Sequence, residues 1–257
     1  MPSYQMFADF YDSLTDNVQY KKRAEYIVNI LNKKFNHNMG ITLDLACGTG
    51  TLTILLKEMG IDVYGIDASQ DMLSVAFQKS MAQGLNILFL CQKMQSLDLY
   101  GTIDTCVCTL DSLNHITDET TFKKAIERVS FFMTKDGYFL FDLNTRYKHR
   151  NVLENNTFVY ETDDVYCVWQ NTLQSNDIVD IDLDLFVKNG DSYQRHSESF
   201  SERAYSLDFV RSALNEYGFV VEGIFGEFSD EPPKEDEERV IVVARKLYTQ
   251  TEKNENM

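Results

Sequence analysis

The stretch ITLDLACGTGTLT, residues 41–53, joins a short apolar run to a turn that contains Gly48 and Gly50. The apolar run is typical of a buried strand, and residues 51–59 have the spacing of a helix. Glycines at such a turn permit backbone dihedral angles closed to other residues and let a ligand approach the main chain. The stretch therefore predicts a strand, a ligand-binding turn and a helix.

The turn departs from the G-x-G-x-x-G pattern of dinucleotide sites, because Thr53 stands where the third glycine is expected. Asp44 comes just before the turn, where a carboxylate repels a diphosphate and attracts an ammonium group. S-adenosylmethionine carries an ammonium and a sulfonium group and no phosphate. The charges therefore favour S-adenosylmethionine over a nicotinamide dinucleotide.

Asp67 ends the second predicted strand, in the sequence YGIDAS. A carboxylate there can accept hydrogen bonds from both hydroxyls of a ribose, which supports nucleoside binding without choosing between the two cofactors. The alternative is that Asp67 caps the next helix. Ser69 is the better candidate for that cap, which leaves Asp67 for a ligand.

Short β-like runs alternate with helical stretches from residue 41 onward, an order that predicts a parallel sheet covered by helices on both faces. The predicted strands are 41–46, 62–66, 87–91, 103–110 and 137–143, and the predicted helices are 51–59, 70–83 and 118–133. Asp118 is the expected cap of the last of these helices, and Gly84 the expected stop of the helix before it.

The pattern changes between residues 157 and 200, which read as strands without helices between them. Apolar residues at 179–187 alternate with aspartates, as in a half-buried antiparallel strand, and Asn189-Gly190 follows as a hairpin turn. A helix at 207–217 and strands at 219–228 and 239–245 complete the chain.

Two N-terminal segments carry apolar residues at helical spacing: Met6, Phe7, Phe10 and Tyr11, then Tyr26, Ile27, Ile30 and Leu31. Such stripes are typical of amphipathic helices. They fit helices packed on the core, and they fit a lid that closes over the cofactor.

Composition limits the classes of function. The 257 residues fit one large domain or one core with a small insertion. The net charge of −16 opposes binding to a phosphate backbone, so nucleic acid is an unlikely partner. The chain has no membrane-length apolar run, no signal peptide and no CxxC motif among its five cysteines, which favours a cytoplasmic protein with reduced thiols in its core.

Five segments resemble the class I S-adenosylmethionine-dependent methyltransferases, in particular a bacterial small-molecule-type subgroup with an antiparallel insertion: LDLACGTGTLT, YGIDASQDML, TLDSLNHI, YQMFADFYDSLTDNVQYKKR and SERAYSLDFV. The resemblance implies a Rossmann-like α/β sheet of seven strands, the last antiparallel, with an N-terminal helical lid. The expected parts are a cofactor-binding core at 1–156 and 204–248, a substrate-side insertion at 157–203 and a disordered tail at 249–257.

The resemblance also implies which residues bind S-adenosylmethionine. They are Tyr11, Arg23, Asp44, Ala46, Gly48, Gly50, Asp67, Ala68, Met72, Gln92, Lys93, Met94 and Leu110. Lys93 departs from the subgroup, whose members often have aspartate at that position for the adenine amino group. A lysine cannot accept that hydrogen bond, so Gln92 or the backbone would have to replace it.

Methyl transfer is a direct displacement, to which positioning alone contributes about 7–11 kcal/mol. A general base is needed only if the acceptor is protonated, which explains why no metal cluster is expected. Asp111 and His115 are the acid–base candidates, because both follow the fourth strand at the sheet edge where ligands bind. Asp111 could instead position the cofactor, and His115 could be structural. The substrate-side candidates are Asn144, Tyr147, Arg203 and Tyr205.

Three alternatives stay open: a nicotinamide-dependent oxidoreductase, a catalytically weak S-adenosylmethionine-binding module, and a methyltransferase for RNA or protein. The methyl acceptor and the oligomeric state cannot be read from the sequence.

Overall fold

A computed structural model describes residues 18–248 of the protein. The predictions for Met6–Tyr11 and for the tail 249–257 lie outside the described residues. The described chain forms a seven-stranded sheet and a separate four-stranded antiparallel sheet.

The seven-stranded sheet has the order β10-β11-β5-β4-β1-β2-β3. Its strands are β1 (Ile41–Leu45), β2 (Asp62–Asp67), β3 (Phe89–Cys91), β4 (Ile103–Cys108), β5 (Met133–Asn144), β10 (Phe219–Gly226) and β11 (Arg239–Lys246). Strands β1 to β5 pair in parallel, whereas β11 runs antiparallel to both of its neighbours. The predicted α/β sheet with an antiparallel last strand is confirmed.

Within residues 18–248, five α-helices flank this sheet: α1 (Tyr20–Asn29), α2 (Thr51–Glu58), α3 (Gln70–Ala82), α4 (Glu119–Phe132) and α5 (Leu207–Glu216). The side chain of Ser69 accepts a hydrogen bond from the Met72 amide, and that of Asp118 accepts one from the Thr121 amide. Both predicted caps are confirmed. Helix α1 buries Ile27 against the sheet, so this N-terminal segment packs on the core.

The second sheet has the order β6-β7-β8-β9. Its strands are β6 (Thr157–Glu161), β7 (Val165–Leu173), β8 (Ile178–Asn189) and β9 (Ser192–Arg203). The aspartates at 180, 182 and 184 point away from the core and accept hydrogen bonds from serines of β9. The predicted hairpin is present one residue later than expected, because Asn189 still pairs with Ser192 and the turn is 190–191.

Some predicted boundaries are wrong. Strand β4 ends at Cys108 because Leu110 and Asp111 adopt positive φ angles of 59° and 53°, which no strand can continue. Residues Lys148–Leu153 form a helical turn that the sequence did not indicate. Cys91 is exposed, contrary to the expectation of core thiols, because β3 is the short edge strand of the sheet.

Candidate active site

A cavity of about 560 Å³ lies between the carboxyl ends of the parallel strands and the inner face of the antiparallel sheet. The parallel sheet contributes loops from β1, β2, β3 and β4, which is where α/β sheets bind ligands. Of the predicted site residues, the cavity brings together Ala46, Gly48, Asp67, Ala68, Met72, Gln92, Met94, Leu110, Asp111, His115 and Asn144.

The glycine turn uses its two glycines in different ways. A Cβ added at Gly50 would lie 2.8 Å from the Cβ of Ala76, so Gly50 permits close packing against α3 and does not line the cavity. At Gly48, an added Cβ would meet nothing within 4 Å, and the residue faces the cavity with a φ of 54°. The open space over Gly48 is the place where a ligand can approach the backbone.

Asp44 lies beneath this turn and not in the cavity wall. It is 2% exposed, and its Oδ2 accepts a hydrogen bond of 2.5 Å from the Thr53 hydroxyl. Burial raises the pKa of Asp44 to about 7. Sequence reasoning used Thr53 only to exclude a dinucleotide, whereas the structure shows that it orients the acidic residue of the turn.

Asp67 links the ends of β1 and β2. Its two carboxylate oxygens accept hydrogen bonds from the amides of Gly48 (2.9 Å) and Ser69 (2.8 Å). An ionised carboxylate has about four acceptor positions, so Asp67 retains capacity for two hydroxyl groups. Burial raises its pKa, which makes hydrogen bonds to the charged form valuable at this position.

We expect Asp67→Ala to weaken binding of S-adenosylhomocysteine by about 1.5–3 kcal/mol, the scale of hydrogen bonds to a charged group. Calorimetric titration measures the change, with Asp71→Ala in the first turn of α3 as a surface control. Because Asp67 also accepts hydrogen bonds from the amides of Gly48 and Ser69, some loss of stability will accompany the loss of affinity. Unchanged affinity with a large drop in melting temperature would show that Asp67 is purely structural.

The segment after β3 is arranged differently from the expected adenine contact. The side-chain amide of Gln92 makes two hydrogen bonds, of 2.8 and 2.9 Å, with the backbone of Asp98. Lys93 is exposed and is not part of the cavity wall, while Gln92 and Met94 are. The structure therefore does not support the idea that the Gln92 side chain replaces the missing aspartate. The cofactor contacts expected of Gln92, Lys93 and Met94 stay predictions.

Lys93→Asp tests where the adenine edge lies. If the residue borders the adenine amino group, an aspartate will accept a hydrogen bond that lysine cannot, and S-adenosylhomocysteine should bind more tightly by about 1–2 kcal/mol. Lys93→Ala is the control for simple loss of the positive charge. Weaker binding by the aspartate variant would mean that the adenine contacts come from the backbone or from another loop.

Arg23 is engaged in a buried ion-pair network. Its guanidinium contacts Asp142 at 3.1 Å and Glu227 at 2.6 Å, and the residue is 3% exposed. Asp142 also binds Arg239 at 2.9 Å. These contacts account for the terminal nitrogens of Arg23, which does not line the cavity, so the expected role of Arg23 in binding S-adenosylmethionine has no support from this geometry.

Asp142 also positions the turn after β4. Its carboxylate accepts hydrogen bonds from the amides of Leu110 (2.8 Å) and Asp111 (2.6 Å), the two residues with positive φ. The buried carboxylate therefore fixes an unfavourable backbone conformation at the edge of the cavity.

Asp111, His115 and Glu202 form the acid–base cluster. One carboxylate oxygen of each acidic residue and one ring nitrogen of His115 lie within 4.8 Å of one another. Burial opposes ionisation of Asp111, but the positive charges of Arg239, at 2.5 Å, and Lys148 lower its pKa, so Asp111 is a weak base. Burial and the Asp111 carboxylate raise the pKa of Glu202 to about 8.

His115 is the accessible member of this cluster. Its side chain is 45% exposed, lies 3.6 Å from the Glu202 carboxylate and packs on Phe200 with a ring separation of 4.9 Å. Although the ring is open to the cavity, the protein around it desolvates the imidazolium form and lowers the pKa of His115, so the imidazole is neutral at pH 7 and can accept a proton.

The other substrate-side candidates are outside the cavity wall. Arg203 contacts Glu119 at 2.6 Å, and the Tyr205 hydroxyl donates to the Ile116 carbonyl. Tyr147 is 37% exposed on the surface. Sequence reasoning missed Glu198, Phe200 and Glu202, whose alternation with serines along β9 was the available signal.

Comparison with known proteins agrees with this geometry. A family model described as "Methyltransferase domain" matches residues 42–137. A crystal structure of an S-adenosylmethionine-dependent methyltransferase from Clostridium acetobutylicum ATCC 824 is 33% identical, with a TM-score of 0.87 over 95% of this chain and 99% of that one. The Bacillus subtilis (strain 168) methyltransferase homologue YqeM is 33% identical over 248 residues, 96% of this chain and 98% of that protein.

A glycine/sarcosine N-methyltransferase of Parasynechococcus marenigrum (strain WH8102) is 27% identical over 252 residues, 94% of this chain and 83% of that protein. The sheet order, the glycine turn and the acidic residue at the end of β2 define a nucleoside-binding α/β enzyme. With these relatives, the chain belongs to the class I S-adenosylmethionine-dependent methyltransferases. The oxidoreductase alternative is thereby removed. Among residues 18–248, no helix is long and apolar enough to cross a membrane.

Proposed function

We propose that the protein methylates a small molecule held in the cavity between the two sheets. The observation that carries the proposal is the size of the site: the cavity of about 560 Å³ between the two sheets is shared by cofactor and acceptor, which suits a small acceptor. The named relative that acts on glycine and sarcosine supports a small acceptor. The net charge of −16 opposes RNA, and the cytoplasmic location stays a prediction.

The residues on the parallel-sheet side of the cavity fit S-adenosylmethionine. Asp67 has free acceptor capacity for a ribose diol, the space over Gly48 is open, and Leu110 and Met72 offer apolar contacts. When bound, S-adenosylmethionine would supply an electrophilic methyl group. The protein's own contribution is to hold the acceptor in line and to exclude water.

His115 is placed to accept the proton of an acceptor that must be deprotonated. Its neutral imidazole is exposed to the cavity, and Phe200 and Glu202 hold the ring from the antiparallel sheet. Asp111, paired with Arg239, serves as a fixed negative charge beside it. A positioned base of this kind contributes about 10²–10⁴-fold to the rate.

A turnover screen with methyl-labelled S-adenosylmethionine tests the proposal, using panels of amines, phenols, carboxylic acids, peptides and bulk RNA. We expect binding of S-adenosylhomocysteine, no binding of NAD, and labelled product from at least one small molecule. Transfer confined to peptides or RNA would contradict the small-molecule acceptor. Binding without transfer to any acceptor would identify a catalytically weak cofactor-binding module.

A further inference from the structure

The far wall of the cavity contains a buried carboxylate that no described contact explains. Glu198 is 8% exposed, lines the cavity, and its Oε1 has no hydrogen-bond partner among residues 18–248. An unpaired buried carboxylate is costly unless a cation or donor satisfies it. Burial accordingly raises the pKa of Glu198.

The cations of the cavity wall are engaged elsewhere. The ammonium of Lys148 donates to Asn144 at 3.0 Å, and Arg239 is held by Asp111 and Asp142. Glu198 also lies away from the acid–base cluster: it is four residues from Glu202 along β9, which corresponds to roughly 13 Å in an extended strand. A ligand group that satisfies Glu198 therefore comes from a part of the acceptor remote from the cluster.

Aromatic residues follow Glu198 along one row on the inner face of the sheet. The strand register places Phe158 opposite Trp169, Trp169 opposite Leu183, and Leu183 opposite Glu198, so the four side chains form one row. The Trp169 ring also lies 6.2 Å from that of Tyr160, and its Nε1 donates to Asn171 at 2.7 Å. All four residues of the row line the cavity.

We infer that Glu198 and the rings of Phe158, Tyr160 and Trp169 form a binding site for a protonated amine of the acceptor molecule. The carboxylate attracts the ammonium charge. The rings stand two and three strands away, about 10–14 Å at a strand spacing of 4.7–4.9 Å, and pack against the apolar part of the amine. The apolar remainder of the wall suits a hydrocarbon body. The inference rests on the proposed small-molecule function and names its substrate class, an amine with an apolar or aromatic portion.

Trp169 is the single tryptophan of the protein, so its fluorescence reports ligand binding at this site. Three ligands of one size separate charge from shape: phenethylamine is cationic, 2-phenylethanol is neutral and phenylacetate is anionic. Tryptophan fluorescence is titrated with each ligand at pH 8, with and without S-adenosylhomocysteine. The variants are Glu198→Gln, which removes the charge and keeps the shape, and Glu161→Gln, an exposed carboxylate on β6 of the same sheet.

We expect wild-type protein to bind phenethylamine about tenfold more tightly than phenylethanol, a difference typical of one ion-pair contact. Glu198→Gln should reduce this preference to near unity, and Glu161→Gln should retain it. Equal binding of the three ligands, a preference that survives in Glu198→Gln, or no saturable response to phenethylamine overturns the inference. The wild-type comparison among ligands stands even if a variant folds poorly.

Calorimetry with S-adenosylhomocysteine on the same samples separates this inference from the proposed function. An amine preference without cofactor binding would leave the amine site in place and contradict the methyltransferase role. Cofactor binding and turnover without an amine preference would support the methyltransferase role and contradict the amine site.

Discussion

Asp142→Ala is expected to lower the free energy of unfolding by about 3–5 kcal/mol, the cost of removing one partner from a buried ion-pair network. The side chain of Asp142 is fully buried and contacts both Arg23 and Arg239. The substitution leaves two buried guanidinium groups with fewer partners. Denaturant unfolding measures the change, and Asp62→Ala is the matched control because its carboxylate is 77% exposed and 3.4 Å from Lys57.

The control should lose no more than about 1 kcal/mol, as exposed ion pairs do. Asp142→Asn keeps the volume of the side chain and isolates the loss of charge from the loss of packing. Because Asp142 also accepts the amides of Leu110 and Asp111, S-adenosylhomocysteine should bind more weakly to both variants. Equal destabilisation by Asp142→Ala and Asp62→Ala would contradict the conclusion that Asp142 stabilises the fold through its buried ion pairs.

His115→Ala should lower kcat by about 10²–10⁴-fold on an acceptor that must lose a proton, while affinity for S-adenosylhomocysteine changes little. Added imidazole should restore part of the activity, since the deletion leaves space in the cavity for a soluble base. A purely structural histidine would instead lose cofactor affinity or stability and would show no rescue.

The pH profile gives a second measurement of the same role. Burial lowers the pKa of His115 below its ordinary value of 6.5, so the imidazole is neutral at pH 7 and is protonated only as the pH falls through that lower pKa. Activity of the wild-type protein should therefore fall on the acidic side, below pH 6.5. The residual activity of His115→Ala should lack this acidic limb, and an unchanged limb would assign it to another group.

The sequence by itself determined the nucleoside-binding half of the molecule. The strand, turn and helix of residues 41–53, the carboxylate of Asp67 and the caps at Ser69 and Asp118 were all predictable, because each depends on residues within a few positions of one another. The same holds for β8, whose alternation of apolar residues with aspartates fixes which face is buried.

Tertiary structure decided the ion-pair network around Asp142 and the half of the cavity where the acceptor would lie. Arg23 and Asp142 are separated by 119 positions in the sequence, and Arg239 and Asp142 by 97, so their ion pairs depend on how distant strands and helices meet. Local patterns carry no information on such pairs. The burial of Glu198 cannot be predicted from the sequence for the same reason, because its neighbours come from β6, β7 and β8 through strand register. An acidic residue in a strand rich in polar residues becomes buried only when the sheet packs over the parallel core.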